Sequence, residues 1–218
     1  MHAESKNRPE VVIIGAGDLA RQISGLIEDR NSRGPDGYEL KGFLDKQLGN
    51  GASTLKGYPI LGSDEALKEL DACYAIGVAD PVRRQALDEF AMEAGRETVS
   101  LIHDSAYFEC GVTLAPGAVI TQRVHVEEGA AVGRQPVFNV NCLIGQDAVL
   151  GDYVIVAPHA IVGGRTRIGS RVLVGMGAIV LPDLSVGDDA VIGAGSVVTR
   201  DVPVGTTVAG VPARPLRR

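Results

Sequence analysis

A chain of 218 residues, 45% hydrophobic and 22% charged, is long enough for two modest domains and too apolar to be disordered. Its formal net charge of −6 and pI of about 5.2 exclude a general affinity for nucleic acid or anionic membrane. Aromatic residues at 4%, with no Trp, leave small aliphatic side chains to fill the interior.

The first residues, Met1 to Asn7 with His2 among them, form a polar tail without a signal-type apolar stretch. No run approaches the roughly 18 apolar residues of a membrane span, so membrane insertion is not expected and the cytoplasm is the expected location. Cys73, Cys110 and Cys142 are odd in number and unpatterned, against disulfides and zinc alike. They read as small, buried or half-buried apolar residues.

Glu10 to Ile14 is a buried strand running into the turn Gly15-Ala16-Gly17. An amphipathic helix is expected over Asp18 to Ile27. Gly15, Gly17 and Ala20 have the G-x-G-x-x-A spacing of a nucleotide-binding βα turn, although a tight turn without a ligand has the same spacing. A second strand, Tyr38 to Asp45, ends on an acid where a doubly wound sheet reads a ribose or base. The segment Gly57 to Gly62, a helix-like stretch near Asp64 to Leu70, the strand Ala72 to Gly77 and a helix opened by Pro81 complete the region. About 100 residues of βαβ material is too little for a complete dinucleotide fold, so a nucleotide-sugar is the expected ligand.

From Ile102 to Val198 every sixth residue is large and apolar, 17 positions without an exception or insertion. A small or β-branched residue recurs four places later (Ala118, Val124, Ala130, Cys142, Ala148), and Gly often follows the large residue directly (Gly133, Gly145, Gly151, Gly163). Period six fits neither a helix nor an alternating strand. It predicts short strands joined by sharp corners, with Gly supplying the turn geometry, and three strands to a coil of roughly 18 residues. The expected architecture is an α/β Rossmann-like domain over 1–100, binding a nucleotide-sugar, followed by a left-handed parallel β-helix over 101–218.

The hexad pattern resembles the hexapeptide-repeat transferases over at least residues 102–204. The chain as a whole resembles the branch with the sialic acid O-acetyltransferase-like and bacillosamine-type amino-sugar acetyltransferases. The matching segments include Ile13-Ile14-Gly15-Ala16-Gly17, Gly42-Phe43-Leu44-Asp45, Ala75-Ile76-Gly77, Ser100-Leu101-Ile102-His103 and Ala209-Gly210-Val211-Pro212-Ala213-Arg214. The resemblance implies a homotrimer with acetyl-CoA or another acyl-CoA as cosubstrate between two β-helices. It places Gly164, Met176 and Ala194 along the acyl-CoA groove, and a nucleotide-sugar in a cleft with Gly15, Gly17, Asp45 and Gly77. No metal is implied.

The sequence departs from the family at the general base. The family pattern Asn-x-x-x-x-Ile-x-His-Asp falls on Asn139 to Asp147, where Asn139, Ile144 and Asp147 match and Gln146 replaces His. A second family His falls on Ile155, and Asp18-Leu19 stand where members carry Gly-His after Gly17. Gln takes no proton at neutral pH, whereas His does. His103 reads as structural at the junction, and His125 and His159 lie in repeats away from the inward position. His159, expected at a corner one coil above Asn141, is either a displaced base or an ordinary exposed corner residue. His103, His125 and His159 lack the close pairing of a zinc site. The candidate catalytic set is therefore Gln146, Asp147, Asn139 and His159. The reading is acyl transfer to a nucleotide-linked sugar, an amine being favoured because a neutral amine needs no base to attack. The alternative is an inactive paralogue binding a sugar nucleotide as scaffold or regulator. A small oxidoreductase is disfavoured because no second catalytic domain remains. The basic end, Arg214, Arg217 and Arg218, reads as a solvated tail.

Overall fold

The structure, a computed structural model, describes residues 8–47 and 54–216, so the polar tail with His2 and the terminal Arg217 and Arg218 lie outside the described residues. It divides into two compact units, Met1–Leu101 and Ile102–Arg218.

In the first unit β1 (Glu10–Ile14) is the last strand but one of a five-stranded sheet. Parallel to it run β2 (Glu39–Leu44) on one side and β5 (Cys73–Ile76) on the other. Beyond β2 lies β4 (Tyr58–Gly62), which forms a hairpin with β3 (Thr54–Leu55). Val11 to Ile14 are wholly buried, as an uninterrupted apolar run in a covered parallel strand should be. Helix α1 spans Asp18–Arg33, six residues further than expected, because no Gly or Pro follows Ile27 before Gly34-Pro35. It buries Leu19, Ala20, Ile23, Leu26 and Ile27 at helical spacing. The segment Asp64–Lys68 is a single 3-10 stretch instead of an α-helix. Helix α2 (Pro81–Glu93) starts at Asp80, whose side chain accepts from the Arg83 N–H at 2.7 Å.

The second unit is a left-handed parallel β-helix. Each of the 17 large apolar residues is the second member of a two-residue strand, from Leu101–Ile102 to Val197–Val198. Three sheets result. The first face stacks the strands of Ile102, Ile120, Phe138, Val156, Val174 and Ile192; the second those of Phe108, Val126, Ile144, Val162, Val180 and Val198; the third those of Leu114, Val132, Leu150, Ile168 and Val186. Inside lies one continuous core, with the large residues alternating with Ala118, Val124, Ala130, Cys142, Ala148 and their successors. A hairpin of Thr207–Gly210 with Ala213–Pro215 ends the first face, and Arg214 is exposed there.

The glycines after the inward residues do a different job from the one expected. Their φ angles are not positive. A Cβ on Gly145 would lie 2.5 Å from the Gly164 nitrogen, and one on Gly151 2.7 Å from the Ser170 nitrogen, so Gly is required for the close approach of the next coil. The left-handed residue comes two places later and tolerates side chains: Asn141 (φ 58°), Asp147 (φ 56°) and His159 (φ 60°) occupy it. Such a conformation costs about 1–2 kcal/mol without glycine. Each of these residues also donates its N–H to the coil below, Asn141 to Gln122, Asp147 to Glu128 and His159 to Val140, at 2.9–3.1 Å. All three cysteines are free. Cys142 is buried in the core and its thiol is pushed up to about 12 by burial, Cys73 is half-buried, and Cys110, against expectation, is exposed at a corner.

Candidate active site

The strand order of the first unit reverses beside β1, and the carboxyl ends of β1, β2 and β5 open there onto a cleft of about 410 Å³. Its floor is drawn tight by backbone bonds: Gly15 N–H to Leu44 O at 2.6 Å, Gly77 N–H to Ile14 O at 2.7 Å. Gly15 (φ 100°) adopts a conformation that L side chains avoid, and a Cβ on Gly77 would come within 2.6 Å of Ala20. That close approach explains the small residue at the third position of the motif. Gly17 is different. Nothing lies within 4 Å of where its Cβ would be, and no side chain caps α1, so the helix N-terminus faces open space.

Asp45 lines the cleft with Gly15, Gly17 and Gly77, and its carboxylate is already engaged. One oxygen accepts from Ala16 N–H at 3.0 Å and the other from Gln47 N–H at 2.8 Å. It therefore clasps the glycine turn before it meets any ligand. Lys46, Asp64 and Arg83 also line the cleft and were not singled out in the sequence. Asp64 is held above the usual carboxylate range by burial and then by the Asp45 charge. Behind the cleft, Arg84 is fully buried and donates to the carbonyls of Ile76 at 2.7 Å and Val78 at 3.0 Å, which flank Gly77. Alternation of the helical face after Pro81 was the available signal: Arg83 and Arg84 stand about 100° apart on α2 and serve different surfaces.

In the β-helix, the residues Asn139 to Asp147 form one corner, one strand of the second face and the next corner. Asn139, Asn141, His159, Met176 and Ala194 lie on the edge between the first and second faces. There Asn141 Nδ2 and His159 Nε2 stand 3.5 Å apart, one coil separating them. Met176 and Ala194 are exposed. Gln146, Asp147 and Gly164 lie on the other edge of the same face. Gln146 is exposed, its N–H donates to Glu127 Oε2 at 2.8 Å, and Gly164 sits directly above its carbonyl. The expected catalytic set is thus split between two edges, with the second face in between.

That face carries an outward column of Tyr107, His125, Leu143, Ile161, Ile179 and Val197. His125 has an acid partner: its Nε2 lies 2.8 Å from Glu109 Oε1. The other oxygen of Glu109 accepts from Glu128 N–H at 3.1 Å. These bonds, the histidine's first, hold the Glu109 carboxyl below its usual range. His103 Nδ1, by contrast, accepts from the Ser105 N–H at 3.0 Å, consistent with a structural place. Among the described residues no group of three or more His, Cys, Asp or Glu is arranged to hold a metal ion.

Residues 165–200 match the bacterial transferase hexapeptide model and residues 10–90 the PglD N-terminal domain. Perosamine N-acetyltransferase from Caulobacter crescentus, solved with CoA and GDP-perosamine as a variant with one histidine replaced by asparagine, is 28% identical, with a TM-score of 0.88 over 96% of this chain and 97% of that one. The acetyltransferase domain of PglB from Neisseria gonorrhoeae FA1090 is 28% identical over 96% of this chain and 100% of that chain, with a TM-score of 0.86. WeeI from Acinetobacter baumannii AYE is 27% identical over 94% and 99%, with a TM-score of 0.85. No curated protein matches the sequence. Fold and motifs together define a hexapeptide-repeat acyltransferase. Within that class the chain is similar to the amino-sugar acetyltransferases, and its N-terminal region matches the PglD N-terminal domain.

Proposed function

We propose that the protein transfers an acyl group, acetyl foremost, from acyl-CoA to the amino group of a nucleotide-linked sugar. The observation that carries the sugar-nucleotide part is the cleft at Gly17: an uncapped helix N-terminus with open space above it and two cations, Lys46 and Arg83, on its walls. An anionic diphosphate suits that arrangement, because free N–H groups and the helix dipole both favour negative charge. Gly15, Gly77 and the Asp45 clasp shape the site. Similar enzymes hold CoA together with GDP-perosamine, one of them with a histidine replaced, so the loss of a histidine is compatible with binding both.

Gly164 lies on one edge of the second face, and Met176 and Ala194 on the other. A groove using both edges requires two copies, which supports a homotrimer built around that exposed aliphatic face. Free cysteines suit a cytoplasmic protein, and no helix among the described residues is long and apolar enough to cross a membrane. In the reaction, the amine nitrogen attacks the thioester carbon, the carbon–sulfur bond breaks, and the proton lost by nitrogen ends on the thiolate. Asn139 and Gln146 are the amides that orient the reactants by hydrogen bonds in this reading. Gln146 cannot take the proton, and Asp147, a carboxylate on the same corner, is its neighbour.

Thiol release from acetyl-CoA, measured with amino- and hydroxy-sugar nucleotides side by side, tests this reading. Release with amino sugars alone is the expected result. Absence of release with sugar-nucleotide binding intact would instead support the inactive paralogue that Gln146 raises. Sedimentation of a stable monomer at micromolar concentration would remove the trimer and the groove together.

A further inference from the structure

We propose that His125, held by Glu109, is the proton acceptor of the acyl transfer, one coil below the strand that leads into the corner where the family carries its histidine. The inference rests on the acyltransferase reading above and names the base that reading lacks. Three observations place it. His125 is the register partner of Leu143, so it stands about 4.8 Å from it along the stack. Leu143 is the outward residue of the strand flanked by Asn139 on one edge and Gln146-Asp147 on the other. The histidine therefore lies on the face that separates the two halves of the expected site.

The second observation is orientation. Glu109 Oε1 takes the Nε2 hydrogen at 2.8 Å, which leaves Nδ1 of the neutral ring as the lone-pair nitrogen. Glu109 itself is fixed by the Glu128 N–H, and the Tyr107 ring packs edge-on against the imidazole at 5.3 Å between centroids. This is the base-plus-orienter geometry that general-base catalysis needs. The third is accessibility, since 37% of the His125 side chain is exposed in the single subunit, and the residue lies at the end of the face before its aliphatic run Leu143, Ile161, Ile179 and Val197. His159 has a neighbouring amide, Asn141, where His125 has a carboxylate.

In the step, Nδ1 takes the proton from the attacking nitrogen as the nitrogen–carbon bond forms. The resulting imidazolium, paired with Glu109, returns that proton to the thiolate when the carbon–sulfur bond breaks. The ring ends neutral and no other reactant is needed. The charged groups along this edge are Glu109, Glu127, Glu128 and Asp147, then Arg165, Asp183, Arg200 and Asp201 in the coils above.

The test compares the full-length wild type with His125→Gln, Glu109→Gln and the double variant His125→Gln/Gln146→His, using thiol release from acetyl-CoA with an amino-sugar nucleotide. His125→Gln is expected to lower kcat about 100-fold or more with KM for acetyl-CoA unchanged, and to change the pH–rate profile to one that follows the acceptor amine alone. Glu109→Gln should lower kcat about tenfold, because the ring loses its orienting acid. Gln146→His in the double variant should restore part of the rate, since it returns a histidine to the neighbouring coil beside Asp147. Wild-type kinetics in His125→Gln, or a fall in melting temperature that accounts for the lost rate while the pH profile is unchanged, would overturn the assignment and leave the acyltransferase reading standing. A wild type that releases no thiol with any amino-sugar nucleotide would retire that reading, and the base with it. If His125→Gln fails to fold, an unchanged kcat and pH profile in Glu109→Gln would overturn the proposal, and the tenfold loss would support it.

Discussion

The two units handle buried polar groups in opposite ways. In the first, Arg84 and Asp88 are fully buried beneath the cleft, with the Tyr74 hydroxyl donating to Asp88 at 2.5 Å and Arg84 holding two backbone carbonyls. In the β-helix the inward positions are almost wholly aliphatic; Thr166 is bound locally, to the Gly163 carbonyl at 2.6 Å, and the buried Thr121 hydroxyl has no partner among the described residues. The difference follows from topology. A β-helix residue meets its own hexad and the coils above and below, so repetition alone satisfies the backbone. A βα unit that opens a cleft at its strand ends leaves carbonyls facing inward, and a side chain from another element must reach them.

Breaking the β-helix should be easiest at a glycine of close approach. Gly151→Val puts a side chain against the backbone of Ser170 and Gly169 and should cost about 3 kcal/mol or more. Hydrogen exchange resolved by peptide should show faster exchange in the coils around Gly151 and none in Glu10–Ile14. Breaking the first unit calls for a polar deletion instead. Tyr74→Phe leaves the buried Asp88 carboxylate short of a donor and should cost about 1–3 kcal/mol, with the exchange pattern reversed.

A smaller effect sharpens the cleft. Asp64 is raised by burial and by Asp45, so the folded protein binds its proton more readily than the unfolded chain. Its ionised form therefore weakens the fold at neutral pH. Stability is regained as pH falls through the raised folded value into the ordinary carboxylate range, below which both states are protonated. Asp64→Asn should raise the melting temperature of the first unit slightly at pH 7, and the gap between variant and wild type should close on acidification. Smallest of all, Arg165→Ala removes a bidentate pair with Asp183 at 2.6 and 2.8 Å, but both side chains are more than half exposed. No shift in midpoint is expected in physiological salt, and a clear loss would show that corner pairs hold the coils together.

Much of the architecture was legible because its determinants are local. The period of six placed every two-residue strand, from Ile102 to Val198, since inward and outward positions repeat without exception. The role of the glycines was misassigned because a period reports where a residue falls and not what approaches it. Gly145 and Gly151 answer to a neighbour 18 or 19 residues away, while the positive φ belongs to Asn141 and Asp147. The motif Gly15-Ala16-Gly17 and the acid at Asp45 were visible as a strand-end pattern. That Asp45 binds the turn's own N–H, and that Arg83 and Lys46 join the cleft, depends on side-chain direction in three dimensions. The Glu109–His125 pair escaped notice for the same reason: 16 residues apart, it becomes a contact only when one coil closes on the next.

The stacking register has a consequence for how such a site changes over evolutionary time. A residue's bearing around the prism is set by its place in the hexad, and its height by the number of complete coils beneath it. His125 and Leu143 share a bearing and differ by one step in height. A chemical group can therefore be relocated along the axis in whole increments of about 4.8 Å while it keeps facing the same way. In this fold, function behaves like a bead on an indexed rod, free to take the next notch and barred from the space between.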